Sequence, residues 1–339
     1  MENSIIIIAE AGVNHNGDIQ LAKRLIDEAD KAGADYVKFQ TFKTEKNISR
    51  QAPKAAYQVT NTEAGESQFD MVKKLELTEE DHYELIRYCA GKNIRFLSTP
   101  FDSDSIHFLA KAGIKTGKIP SGEITNLPYL KLMAASFEYL IMSTGMATMD
   151  EIGYAFEVLK KAGSKAENIT ILHCNTEYPT PMRDVNLRAM GTIQEKFGAR
   201  IGYSDHTEGI EVPIAAAALG ATILEKHFTL DKNMEGPDHK ASLDPAELCE
   251  MVRSVRNIEA ALGTGIKEPS ASELKNIQIV RKSIYTAKPI KKGEMLTMEN
   301  LVTKRPGTGI SPLLMDEIVG KTALQDMEDD HQLQLTDFQ

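Results

Sequence analysis

The chain has 339 residues, 42% of them apolar and 26% charged, which fits one large globular domain or two ordinary ones and excludes disordered and fibrous architectures. A formal net charge of -10, from 49 acidic and 39 basic residues, speaks against a nucleic-acid partner while leaving a local anion pocket open. Cys89, Cys174 and Cys249 are too scattered for a disulfide framework or a zinc ribbon, so a reducing compartment is expected.

From the N-terminus, β-rich runs recur at 5–10, 36–41, 95–99, 115–121, 139–143, 169–174, 200–204 and 222–227, with amphipathic stretches between them and a last one at 245–262. Short strands alternating with helices predict parallel βαβ units. Eight such units over 1–262 match a (β/α)8 TIM barrel. A doubly wound open sheet is the alternative, but no GxGxxG turn follows the first run, and polar residues fall at nearly every strand end, not at one switch point. One connection is anomalous: 42–77 separates the second strand from its helix and is far longer than a usual βα loop, which suggests a cover for the active face. Past residue 262 the texture turns polar and turn-rich. A linker at 263–282 and a small β-rich domain at 283–339 are expected, the latter needing another surface to pack on.

No stretch has the length and apolarity of a membrane span, since 212–224 is short and interrupted by Pro213 and Gly220. The first residues lack a basic n-region and a long h-region, so a cytoplasmic protein without a membrane partner is expected.

Strands of a closed parallel barrel are buried on both faces and ought to be aliphatic. Here Lys38 and Gln40 share one strand face, as do Ser204 and His206, and Glu225 and His227, all near C-terminal strand ends. Glu10, Thr99, Ser121, Ser143 and Tyr178 fall at or just past corresponding ends, where barrel enzymes place their chemistry. His206 and His227 close the neighbouring seventh and eighth strands, so both imidazoles can meet one divalent ion, with coordination positions left for water and substrate. Lys38 and Lys118 read as an anion cradle or as Schiff-base lysines, with salt bridges to Glu10 or Glu225 as the structural alternative. Glu10 and Glu123 are candidate acid and base groups, and Asp205, Asp238, His239 and His15 are weaker candidates for function.

The words Ala9-Glu-Ala-Gly-Val-Asn-His-Asn-Gly17, Val37-Lys-Phe-Gln40, Ser98-Thr-Pro-Phe101, Lys118-Ile-Pro-Ser-Gly-Glu123, Ser143-Thr-Gly-Met146, His173-Cys-Asn-Thr-Glu-Tyr-Pro-Thr-Pro181, Ser204-Asp-His-Thr207, Glu225-Lys-His-Phe-Thr229 and Lys304-Arg-Pro-Gly307 together resemble the sialic acid (nonulosonic acid) synthase family over essentially the whole chain. The resemblance implies a barrel followed by a C-terminal domain similar to type III antifreeze protein (SAF), in a domain-swapped homodimer. It implies condensation of phosphoenolpyruvate with an N-acylated mannosamine to a nine-carbon 2-keto sugar acid, releasing phosphate.

By the same resemblance His206 and His227 hold Mn2+ or Mg2+, while Lys38, Thr99, Lys118, Ser121, Ser143 and Ser204 cradle phosphate and carboxylate. Glu10 and Glu123 handle protons, Gln40, Tyr178 and Asp238 orient the sugar, and Arg305 reaches its N-acyl group from the other protomer. Thr176 stands where some members carry an amide, with Asn175 beside it. The acceptor stays open between N-acetylmannosamine and 2,4-diacetamido-2,4,6-trideoxymannose, with N-acetylneuraminate or N,N'-diacetyllegionaminate as product. Two other functions compete: a Schiff-base aldolase using Lys38 or Lys118, and a non-catalytic carbohydrate-binding protein.

Overall fold

A computed structural model describes residues 4–54, 58–59 and 65–339. The chain divides into two compact units, one ending at Gly263 and the other running from Thr264 to Gln339.

In the first unit eight parallel strands run in chain order: β1 (Ile6–Gly12), β2 (Tyr36–Thr41), β3 (Arg95–Pro100), β4 (Thr116–Ile119), β5 (Tyr139–Ser143), β6 (Ile169–Cys174), β7 (Arg200–Asp205) and β8 (Ile223–His227). Their order in the sheet is β3-β2-β1-β8-β7-β6-β5-β4, so first and last strands pair with each other and the sheet curls into a barrel. The fourth strand is shorter than its sequence run, because Pro120 has no N–H for the ladder and the chain turns into a single 3-10 turn, Ser121–Glu123. The first strand is longer, its register slipping between Glu10 and Gly12.

Outside the sheet lie α1 (Ile19–Ala32), α2 (Thr44–Asn47), α3 (Gln68–Lys73), α4 (Glu79–Ala90), α5 (Ser103–Lys111), α6 (Leu127–Ser136), α7 (Met149–Lys161), α8 (Ala189–Phe197), α9 (Glu211–Ala218) and α10 (Pro245–Leu262). α10 starts where the sequence says a helix should: Asp244 forms a capping box with Glu247, and Pro245 sits at the first turn, where its missing N–H costs nothing. One face buries Leu248, Met251, Val252 and Val255, and Arg256 reaches the barrel's lower rim to bond Asp35 at 2.8 Å. The anomalous connection carries α2 and α3; its residues 55–57 and 60–64 lie outside the described residues.

In the second unit the segment expected as a linker contains a helix, α11 (Ala271–Val280), opened by a Ser270–Glu273 capping box. Beyond it, β9 (Ser283–Thr286) pairs antiparallel with β10 (Leu301–Lys304), and isolated bridges replace longer strands. A separate apolar core, including Ile284, Ile290, Leu296, Met327, Leu333 and Phe338, holds this unit together.

Candidate active site

Alternation along each strand sends one residue of every pair toward the barrel axis, and at the C-terminal ends those inward residues are polar. Lys38 on β2 is almost fully buried, with Nζ 3.2 Å from Glu10 Oε2 on β1 and 2.8 Å from Glu225 Oε2 on β8. Lys118 on β4 stands 3.4 Å from Glu225 Oε1 and donates to Ser143 Oγ at 2.8 Å, while the Ser204 hydroxyl donates to Glu225 Oε1 at 3.0 Å. Thr99 is buried at the end of β3 beside Gln40 in the β2–β3 register. Six strands, β1, β2, β4, β5, β7 and β8, are thus linked in one buried floor, and its hub is Glu225, which the sequence suggested only as a salt-bridge partner.

Burial raises the Glu10 carboxyl to about 8, against the pull of the Lys38 ammonium. Burial works the same way on Glu225, but Lys118 and Lys38, with hydrogen bonds from Lys38 and Ser204, outweigh it and hold that carboxylate ionised, well below the usual range. Burial lowers Lys118 to about 8, with Glu225 opposing the shift. Desolvation also works against charge on Lys38, yet Glu10 and Glu225 overcome it and keep the ammonium protonated. At neutral pH the floor therefore carries two ammonium groups, one carboxylate and one carboxylic acid, an excess positive charge suited to an anion.

Above the floor the two imidazoles meet. Ring centroids of His206 and His227 are 5.3 Å apart, and Tyr178 stacks on His206 at 4.1 Å, its hydroxyl 3.0 Å from His206 Nε2. The other His206 nitrogen, Nδ1, bonds the Asn175 carbonyl, and Nδ1 of His227 is buried with no hydrogen-bond partner among the described residues. Burial pushes His206 down to about 4 and His227 well below its ordinary value, with His206 adding to the shift on His227. Both are thus neutral nitrogen donors. Gly12 lies where these groups converge: with φ +53°, a Cβ there would stand 3.3 Å from Glu10 Oε1, 3.5 Å from His227 Cε1 and 3.6 Å from Gln40 Nε2.

Next to Lys118, Ser121 Oγ accepts from the Gly145 N–H at 2.9 Å and lies 3.2 Å from Cys174 Sγ. A side chain at Gly145 would collide with Thr176 Cγ2 at 2.6 Å and with Ser121 Oγ at 2.9 Å. Thr176 therefore reaches this corner, whereas the Asn175 side chain turns to its own loop, accepting from Glu177 N and donating to the Asp184 carbonyl. Glu123 differs from Glu10: its half-buried carboxylate accepts from Asn126 Nδ2 at 2.6 Å, and burial raises its pKa.

Gln40, Tyr178, His227 and Asp238 line a cavity of about 200 Å³ whose far wall is Val13, Phe42, Met71 and Leu75. The long connection after β2 supplies most of that wall. Burial raises Asp238 to about 6. Arg305 is exposed in the second unit, one residue past β10. Cys174 packs against the floor with its thiol pushed up by burial, and among the described residues no three His, Cys, Asp or Glu side chains converge as a metal cage.

A (β/α)8 barrel whose mouth sets a lysine–glutamate anion floor under two neutral imidazoles defines a class, the barrel enzymes that work on small anionic substrates. Residues 25–267 match the NeuB family and residues 281–339 the SAF domain, and the chain belongs to the NeuB family. It is 55% identical to the N,N'-diacetyllegionaminic acid synthase of Campylobacter jejuni, over 96% of this chain and 97% of that one. It is 48% identical to the protein of the same name from Legionella pneumophila, over 93% of this chain and 89% of the other. Among solved structures, the N-acetylneuraminic acid (sialic acid) synthetase of Leptospira borgpetersenii, in complex with citrate, aligns with a TM-score of 0.71 at 37% identity, covering 81% of this chain and 90% of that one.

Proposed function

We propose that this enzyme condenses phosphoenolpyruvate with the open-chain form of 2,4-diacetamido-2,4,6-trideoxymannose, giving N,N'-diacetyllegionaminate and phosphate. The observation that carries this choice of acceptor is the 55% identity to the Campylobacter jejuni synthase across 96% of the chain. The apolar wall of Val13, Phe42, Met71 and Leu75 supports it, because a 6-deoxy sugar presents a methyl group where N-acetylmannosamine presents a hydroxymethyl.

C3 of phosphoenolpyruvate attacks the aldehyde carbon, positive charge develops at C2, water adds there, and the C2–O bond to phosphate breaks. Lys38, Lys118, Ser121, Ser143, Ser204 and Thr99 hold the carboxylate and phosphate. Glu225, kept ionised by its two lysines, stabilises the positive charge at C2. Glu10, kept protonated by burial, carries the proton that the reaction moves. Glu123 is assigned a secondary part at the edge of the floor, through the turn that also carries Ser121. Gln40, Tyr178 and Asp238 orient the acceptor.

The residues at the mouth fit a divalent cation: two neutral imidazoles meet edge to face with their centroids 5.3 Å apart, and one buried nitrogen, His227 Nδ1, has no hydrogen-bond partner among the described residues. His206 and His227 would hold Mn2+ or Mg2+, with water or substrate completing the shell. Such an ion polarises an aldehyde oxygen. The assembly assigned here is a homodimer with exchanged C-terminal units, in which Arg305 of one protomer serves the N-acyl group bound by the other. No described helix is long and apolar enough to cross a membrane.

The test is a parallel assay with Mn2+, phosphoenolpyruvate and each sugar, the products read by mass spectrometry. The diacetamido sugar is expected to give the higher kcat/KM. Equal or better turnover of N-acetylmannosamine would reassign the acceptor, and no phosphate release with either would overturn the reaction.

A further inference from the structure

Each imidazole at the mouth is preceded by a charged residue, Asp205 before His206 and Lys226 before His227. β7 and β8 pair in a register that sets Asp205 opposite Lys226. Because side chains alternate, these two point away from the barrel axis while the imidazoles point toward it. On that outer side Lys226 Nζ lies 2.5 Å from Asp205 Oδ2, with 0% and 1% of the side chains exposed. The same ammonium donates to the Thr207 carbonyl. Asp205 in turn accepts from the Thr207 N–H at 3.1 Å and from its hydroxyl at 2.9 and 3.0 Å. The cluster thus ties β7 to β8 and grips the residue on the far side of His206.

A buried ion pair is a poor device for stability alone. Desolvation offsets the attraction between its charges, and a well-packed apolar pair of similar volume usually serves as well or better. What it supplies is register, since a buried ammonium is satisfied only where its carboxylate and carbonyl partners stand. We propose that Asp205 and Lys226 are positioning residues that fix the spacing of the His206 and His227 imidazoles, and through it the affinity of the mouth for a divalent cation. The inference rests on the two-imidazole reading given under the proposed function.

The experiment uses full-length protein without substrates: the wild type, Lys226→Met, the double variant Asp205→Leu/Lys226→Met, and His227→Ala. Mn2+ binding is followed by electron paramagnetic resonance, folding by thermal melts, and ring placement by the 15N resonances of the imidazoles. Lys226→Met, which strands a buried carboxylate, is expected to melt far below the wild type. The double variant is expected to melt near the wild type yet bind Mn2+ ten- to a hundredfold more weakly, the loss typical when a group behind a metal ligand is removed. His206 and His227 resonances should shift or broaden while that of His331 in the second unit stays put.

A folded double variant with Mn2+ affinity within twofold of the wild type and unmoved resonances overturns the proposal. If that variant does not fold, the neutral pair Asp205→Asn/Lys226→Gln is read by the same two criteria. A wild type that binds no Mn2+, or a His227→Ala that binds it equally well, overturns the ion reading instead, and the resonances alone then decide whether the pair positions the rings.

Discussion

Lys38 Nζ lies 2.8 Å from Glu225 Oε2, and the same nitrogen contacts Glu10 at 3.2 Å, so one ammonium group bridges two buried carboxyl groups, of which Lys118 helps hold Glu225 ionised while burial keeps Glu10 protonated. Glu10→Gln copies the protonated form in size and charge. It is expected to leave the KM for phosphoenolpyruvate within a few-fold while lowering kcat by about 10²- to 10⁴-fold, the range for losing a positioned proton carrier. Steady-state kinetics on the two substrates check this; a kcat within twofold would remove Glu10 from proton transfer.

Both Glu10 and Lys118 have pKa values near 8, and both are protonated in the form proposed to work. Activity should therefore hold below that value and fall as pH rises through about 8. In Lys118→Met the KM for phosphoenolpyruvate should rise at least about tenfold, equivalent to ~1.4 kcal/mol, with a smaller effect on the acceptor. Borohydride added with pyruvate, whose ketone a Schiff-base lysine would capture, should trap no adduct, because Glu10 and Glu225 keep the Lys38 ammonium protonated. A borohydride-stable adduct on either lysine would favour the aldolase reading.

On the acceptor side, Tyr178→Phe, Asp238→Asn and Arg305→Ala should each raise the KM of the sugar more than that of phosphoenolpyruvate. Met71→Gln places a polar group on the apolar wall and should lower kcat/KM for the 6-deoxy acceptor by about tenfold relative to N-acetylmannosamine, the scale for one changed group in an apolar pocket. Unchanged discrimination would take that wall out of acceptor choice.

His15 is fully buried in the first βα loop, where its Nδ1 accepts from the Gly17 N–H at 3.0 Å. Burial lowers its pKa to about 4, with His82 adding to the effect. Its folded value is below its unfolded one, so the stability it contributes is present above about pH 6.5 and is lost as pH falls through 6.5 toward 4, up to about 3 kcal/mol in total. His15→Asn keeps an acceptor for Gly17 but cannot titrate, and its melting temperature should fall less steeply with pH over that window. Parallel slopes for variant and wild type would exclude His15 as a source of acid sensitivity.

Much of the barrel was legible because each strand is a short run and most helices carry their own start signal, as with Asp244, Pro245 and Glu247 opening α10. The inward lysines, serines and histidines were legible for a different reason: they break the aliphatic rule of a parallel barrel. Pairing was harder to read. Glu225 is two residues before His227 on the same face, which was visible, but its contacts with both Lys38 and Lys118 depend on three strands far apart in the chain. Asp205 and Lys226 looked like ordinary charges until register set them opposite each other. Helix α11 was hidden because its sequence buries no side chain, so the amphipathic signal that reveals other helices is missing.

In the proposed reaction the lysine–glutamate floor works at C2 of phosphoenolpyruvate. Phosphoenolpyruvate labelled with 18O in the bridge between C2 and phosphorus tests it most directly, with Mn2+ and the diacetamido sugar present and the released phosphate weighed by mass spectrometry. The phosphate is expected to carry the label, since water adds to carbon and the C2–O bond breaks. Unlabelled phosphate, the result of attack at phosphorus, would contradict it.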